Sequence, residues 1–317
     1  MGKTAFLFPG QGAQTVGMGK DLAERYPEAR ALYERADEVL GFALSKICFE
    51  GPEDRLTATD ISQPAILVTS LAALAALRTT EAGRTLVPQA AAGLSLGEYT
   101  ALVAAGAFDF DTAVRLTHLR GRLMQEACNA QPSSMVALLG VDEAAAEKIC
   151  DAARPAGIIW PANFNSPGQV VVSGVKAACD RVVEIAESLG AQRAVPLVVA
   201  GAFHSPLMAS AREKLAPELR SLLVQELKFP VVANVSGDYY SGAAAVAELL
   251  TRQVDGPVRW QQSVERLIAD GYDKFVEIGP GRVLTGFLKR IDRQVGRQAV
   301  NVGTIADIEA LAKGDKA

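Results

Sequence analysis

Histidine is nearly absent from this chain: of 317 residues only His118 and His204 carry an imidazole. Chemistry that needs a histidine base must use one of these two. Cysteine is also scarce. Cys48, Cys128, Cys150 and Cys179 lie far apart without metal-ligand spacing, so they read as reduced, buried thiols of a cytoplasmic protein, and no metal site is expected. No charge of one sign dominates. Lys and Arg number 32 against 36 Asp and Glu, and the net charge of −4 excludes chain-wide attraction to nucleic acid or anionic membrane. A long hydrophobic run is missing too. The longest nearly apolar stretch, 65–77, is 13 residues with Thr69 and Ser70 inside it, too short to span a bilayer and suited to a buried helix. The first eight residues lack a signal-peptide pattern and read as a first strand. No internal repeat or low-complexity tract occurs. Residues 314–317 read as a frayed tail.

What remains is an ordinary globular composition, 49% hydrophobic and 21% charged. Within it one motif stands out: Gly93-Leu94-Ser95-Leu96-Gly97, a Gly-x-Ser-x-Gly pattern. The residues before it, 87–92, suit a buried strand, and those after it, 98–105, suit a helix. A serine on so sharp a strand-to-helix turn has its hydroxyl pushed out at the top of a sheet, with a helix N-terminus behind it. Side chains at the flanking glycines would clash in that turn.

Strand-like runs alternate with helical patterns along the chain, which predicts α/β architecture and about two domains. The first strand, 5–8, ends in the glycine-rich turn Pro9-Gly10-Gln11-Gly12. Helices follow to about 78, and another covers 111–128. Residues 134–139, 142–153, 157–162, 169–173, 175–189 and 194–199 read in turn as strand, helix, strand, strand, helix and strand. The two middle strands are joined by the turn Asn165-Ser166-Pro167-Gly168. This βαββαβ order is ferredoxin-like. Strands at 229–235 and 274–278 and helices at 257–270 and 283–291 return to the first pattern. The expectation is therefore an α/β-hydrolase-like large domain with a parallel sheet (1–130 and 199–317) and an inserted ferredoxin-like small domain (131–198).

A nucleophilic serine needs a base within hydrogen-bond reach. His118 lies inside a helical stretch and reads as a packed or solvated helix residue. His204 lies on a turn just before a helix, where α/β enzymes carry catalytic groups, and is the favoured base. The carboxylates between Ser95 and His204 belong mostly to amphipathic helices of the small domain. That leaves backbone carbonyls to orient the histidine, making a dyad. Arg120, 25 residues after Ser95, presents a rigid fork suited to a carboxylate, although spacing alone does not separate it from Arg122.

Six separated motifs then resemble one family, the malonyl-CoA:acyl carrier protein transacylases of type II fatty acid synthesis. They are Phe8-Pro9-Gly10-Gln11-Gly12-Ala13-Gln14, Leu94-Ser95-Leu96-Gly97-Glu98-Tyr99, Arg120-Gly121-Arg122-Leu123-Met124, Asn163-Phe164-Asn165-Ser166-Pro167-Gly168-Gln169, Gly201-Ala202-Phe203-His204-Ser205 and Glu277-Ile278-Gly279-Pro280-Gly281. The resemblance covers nearly the whole chain. It implies a protein that binds no cofactor and moves malonyl from malonyl-CoA to holo acyl carrier protein; a monomer is the default expectation. It implies Ser95 as nucleophile, His204 as base, the Gln11 and Leu96 N–H groups as oxyanion hole, Arg120 as partner of the malonyl carboxylate, and Met124 and Phe203 as substrate-binding residues. Phe203 resembles members that take unbranched malonyl.

Two positions depart from the family. Leu94 stands where many members carry histidine, and Arg259 stands where some carry glutamine, a place whose backbone carbonyl orients the catalytic histidine. The competing readings are a serine thioesterase or esterase, a trans-acting acyltransferase of a polyketide pathway, and a non-catalytic adaptor that keeps the fold.

Overall fold

The structure, a computed structural model, describes residues 2–313, so the expected frayed tail lies outside the described residues. The ten strands among them are β1 (Lys3–Phe8), β2 (Ala90–Gly93), β3 (Ser133–Leu139), β4 (Ile159–Ser166), β5 (Gln169–Val175), β6 (Arg193–Pro196), β7 (Val231–Ala233), β8 (Asp238–Tyr239), β9 (Tyr272–Ile278) and β10 (Val300–Val302). They form two sheets. The larger runs β10-β9-β1-β2-β7-β8 and is parallel except for the edge strand β8. The smaller is antiparallel in the order β4-β5-β3-β6. The chain is thus mixed α/β with a parallel sheet.

Helices cover both faces of the large sheet, which is why its strands read as continuous apolar runs. On β1, Phe6 and Phe8 enter the core on one face, while Ala5 and Leu7 enter the core on the other. The first core is dominated by the helix Thr59–Thr79, of 21 residues. It is long and apolar enough to cross a membrane, and 89% of its most apolar window is buried inside this fold. It extends well past the apolar run 65–77 because Thr59, Ser62 and Gln63 are buried with it. The helix Phe110–Ala130 packs across it. At their crossing a Cβ on Gly121 would lie 2.3 Å from the Thr59 carbonyl oxygen, so no larger residue fits.

Several boundaries differ from the sequence expectation, for local reasons. β2 begins at Ala90, after Pro88, which has no N–H for a ladder. β4 runs through Ser166 with two register shifts, so Asn163 and Asn165 sit on the strand and the tight turn is Pro167-Gly168. β8, β10 and the helix Val246–Gln253 are not among the expected elements. The two strands are only two and three residues long, and β10 carries the polar Asn301 at its centre. The sheets are joined where Phe164 N–H donates to the Val258 carbonyl at 2.9 Å and Val258 N–H donates to the Ala162 carbonyl at 2.8 Å. A cleft of about 480 Å³ lies between the two parts.

Candidate active site

The Gly-x-Ser-x-Gly segment forms the expected elbow between β2 and the helix Leu96–Ala104. A Cβ on Gly93 would lie 1.9 Å from the Gly97 carbonyl, and one on Gly97 would lie 2.0 Å from the Phe8 oxygen. Ser95 sits at φ 51°, and His204 at φ 56°. These are the two non-glycine residues with positive φ among the described residues. Such backbone strain persists only where the surroundings enforce it, and it concentrates at functional sites. At the elbow Asn234 does the enforcing. Its Oδ1 accepts from Ser95 N–H at 2.6 Å and its Nδ2–H donates to the Gly93 carbonyl at 2.7 Å.

Ser95 Oγ lies 2.7 Å from His204 Nε2. On the other side of the ring, Nδ1 lies 2.9 Å from the Gln253 carbonyl and 3.2 Å from that of Gly256. Two carbonyls can only accept, so Nδ1 carries the hydrogen and Nε2 is left with its lone pair toward the serine. The Gln253 carbonyl is free for this role because it ends its helix and residue 257, four further on, is a proline without N–H. This corrects the expectation for Arg259, whose carbonyl instead accepts from Ser263. Burial, and then the Arg120 charge, push the His204 pKa down to about 4, so the imidazole is neutral near pH 7.

Arg120 is 1% exposed and forms no ion pair among the described residues. Its guanidinium donates to Ser95 Oγ at 3.1 Å, Gln253 Oε1 at 2.9 Å and Gln63 Oε1 at 2.7 Å, and lies 5.3 Å from the Tyr99 ring centroid. Its Nε–H has no acceptor. Arg122, which spacing does not distinguish from it, is exposed and pairs with Glu126. His118 is remote from this cluster: its Nδ1 lies 2.9 Å from the Asp60 carbonyl and its ring stands beside Phe42.

The cleft also takes in Gln11, Leu96, Met124, Asn163, Asn165 and Phe203. Leu96 opens the elbow helix, and the Gln11 loop is held close because Gly10 touches the Leu94 carbonyl. Among the described residues neither the Gln11 nor the Leu96 N–H has a protein acceptor. Leu94 lines the cleft through its half-buried side chain, and Met124 Sδ packs on Gln63 Nε2 at 3.7 Å.

Four buried polar residues of the site escape a reading of the sequence: Gln63, Asn234, Tyr240 and Gln253. A fifth, Glu98, stands inside the elbow motif without a role assigned by it. Gln63 alone leaves a signal, as an amide two residues before the apolar run 65–77.

An elbow serine paired with histidine beside a buried arginine, on a parallel α/β sheet, defines an acyl-group transferase class. The family model described as an acyl transferase domain matches residues 5–311. The chain is 45% identical over 302 residues to the malonyl CoA-acyl carrier protein transacylase of Bacillus subtilis, covering 95% of this chain and 94% of that one. It superimposes on the crystal structure of the Streptococcus pneumoniae enzyme named MCAT with a TM-score of 0.92 at 42% identity, covering 98% and 100% of the two chains. A malonyl-transacylase solved in complex with a type II PKS acyl-carrier protein matches with a TM-score of 0.92 at 39% identity, over 99% and 100%. The chain belongs to the acyl transferase family, among the malonyl CoA-acyl carrier protein transacylases.

Proposed function

We propose that this chain transfers malonyl from malonyl-CoA to the phosphopantetheine thiol of holo acyl carrier protein through a malonyl ester on Ser95. Ser95 Oγ attacks the thioester carbonyl as its proton passes to His204 Nε2. The Gln11 and Leu96 N–H groups receive the oxyanion, each contributing about 3–4 kcal/mol when aimed at the transition state. The carbon–sulfur bond then breaks, and His204 returns the proton to the departing CoA sulfur. In the second half, His204 takes the proton of the carrier thiol, whose sulfur attacks the malonyl ester. Ser95 Oγ leaves and regains its proton. This ping-pong route requires neither a metal nor a bound cofactor.

The observation that carries the malonyl assignment is Arg120, a buried guanidinium with no ion-pair partner among the described residues, beside Ser95 Oγ. A carboxylate at the far end of the acyl group supplies the missing partner, and an acetyl group leaves the charge unpaired. Met124 and Phe203 flank the acyl group. Phe203 lines the cleft, and its ring is read as the group that selects unbranched malonyl.

We read residues 1–130 and 199–317 as an α/β-hydrolase-like catalytic domain, and 131–198 as an inserted ferredoxin-like domain. The succession of β3, the helix Glu143–Ala153, β4, β5, the helix Lys176–Ile185 and β6, with its antiparallel order, supports that reading. The protein acts as a cytoplasmic monomer in fatty acid biosynthesis, with no membrane or nucleic-acid partner. The relative bound to a type II PKS carrier keeps a polyketide role open to the same chemistry.

Arg120→Ala tests the substrate. Loading of Ser95 from malonyl-CoA and from acetyl-CoA is followed by intact mass. The malonyl-to-acetyl rate ratio is expected to fall on the order of a hundredfold. Equal losses for both acyl groups would remove Arg120 from the carboxylate.

A further inference from the structure

Glu98, the fifth residue after Gly93, is fully buried on the elbow helix, and its side chain hydrogen-bonds to neither Ser95 Oγ nor His204. Its carboxylate accepts from three donors: the Tyr240 hydroxyl, Gln253 Nε2–H at 2.7 Å and the Asn234 backbone N–H at 3.1 Å. Gln253 Nε2–H and the Asn234 N–H can only donate, and both face Oε2, so that oxygen must accept, and a negative charge on the carboxylate strengthens both bonds. The same Gln253 Nε2 donates its other hydrogen to the Ser95 carbonyl at 2.8 Å. With two acceptors facing its nitrogen, the amide has one compatible orientation, which places Oε1 2.9 Å from Arg120 Nη2. Turning the amide over would set its oxygen against two oxygens and its NH2 against the guanidinium.

We propose that Glu98 is a positioning residue for the acyl-carboxylate subsite. It locks the Gln253 side-chain amide so that its oxygen faces Arg120, and thereby aims the guanidinium beside Ser95 Oγ. Glu98 is also the buried negative charge linked to Arg120, through one intervening amide and without a direct ion pair. Gln253 then serves two groups by two different parts. Its backbone carbonyl orients His204, and its side chain orients Arg120. The inference rests on the reading of Arg120 as holder of the malonyl carboxylate.

In Glu98→Gln the NH2 can sit on the Tyr240 oxygen while the amide oxygen still accepts from Gln253 Nε2–H and the Asn234 N–H, but without the negative charge that strengthens those two bonds, so the Gln253 lock weakens. The titratable groups around Glu98 are Tyr240 after β8, Tyr99 on its own helix, Arg120 on the crossing helix, and His204 beyond Gln253. Burial raises the Glu98 pKa to about 7 against the pull of its three donors and of Arg120. The lock therefore weakens as pH falls through that value.

The experiment is a double-mutant cycle. Glu98→Gln, Gln253→Ala (which keeps the backbone carbonyl) and the double variant are compared for the malonyl-to-acetyl loading ratio at Ser95. Each single change is expected to lower the ratio about tenfold, and the double no further, because both act on one linkage. In the unaltered protein the ratio should decline as pH drops through about 7, and in Glu98→Gln it should be flat. Multiplicative losses, or equal loss of both acyl groups, would overturn the proposal. Tyr240→Phe removes one donor at constant charge and should lower the ratio in the same direction if Glu98→Gln does not fold. No change in that variant would count against the lock. Arg120→Ala in the same assay separates the two readings. If it leaves the ratio intact, the carboxylate reading fails. If it collapses the ratio while Glu98→Gln does not, only the Glu98 lock fails.

Discussion

At the scale of single residues, the proposed base is the neutral imidazole of His204, 2.7 Å from Ser95 Oγ. Burial is the larger cause of its low pKa and the Arg120 charge the second; both disfavour the imidazolium. Two carbonyls fix the tautomer without a carboxylate, which leaves the Nε2 lone pair facing Ser95 Oγ, as the proposed base requires. Because the chain holds only two histidines, NMR reads this directly. The ring resonance that vanishes in His204→Ala should titrate near pH 4, below which Nε2 is protonated and cannot accept the serine proton. A midpoint near 6.5 would show that the ring is not desolvated as placed. Ser95 and His204 are legible in the sequence because strained turns carry local signatures, here glycines and a loop before a helix. Arg120 is not separable from Arg122 by pattern, since burial of one and exposure of the other depend on the helix packed across them. Gln253 and Asn234 are illegible for a related reason. They reach Ser95 across 158 and 139 residues of chain, and an amide in an amphipathic helix or after a short strand has no local mark.

At the scale of elements, the elbow depends on three segments approaching closer than side chains permit: β1, β2 and the helix Leu96–Ala104. Gly97→Ala places a Cβ 2.0 Å from the Phe8 carbonyl oxygen, which no rotamer relieves. Denaturant unfolding should show a loss of about 2–4 kcal/mol. Gly286 is the contrast. It lies in the helix Val283–Ile291, where a Cβ would meet open space out to 4 Å, and Gly286→Ala should raise stability by about 0.5–1 kcal/mol. A destabilised Gly286→Ala, or an unaffected Gly97→Ala, would contradict the packing described. The buried strands of the large sheet are readable because both faces are covered and apolar runs result. β8 and β10 are not, because edge strands of two or three residues are too short to show a period. The end of β4 reads as a turn in the sequence because Asn165 favours turns, while pairing with β5 carries it into the strand.

At the scale of the whole molecule, the chain leaves the large sheet after the helix Phe110–Ala130, builds the antiparallel sheet, and returns at His204 to complete the site. Ser95 and Arg120 come from before the small sheet, and His204 and Gln253 from after it. The cleft is walled on one side by Asn163, Asn165, Val171 and Met135 of the small sheet. A second acyl acceptor larger than water has room there, which suits transfer to a thiol carried on a flexible arm. Alternation of elements shows the α/β order in the sequence. The meeting of the two halves across the insertion is carried by the ordered motifs, since no local pattern encodes a contact over so long a separation. The most direct measurement is intact mass spectrometry of the protein with malonyl-CoA, with and without holo acyl carrier protein. A malonyl adduct on Ser95 that persists without the carrier and passes to its phosphopantetheine thiol when it is added is expected. Free malonate as the main product in both cases, or no adduct on Ser95, would contradict transfer through a malonyl-serine.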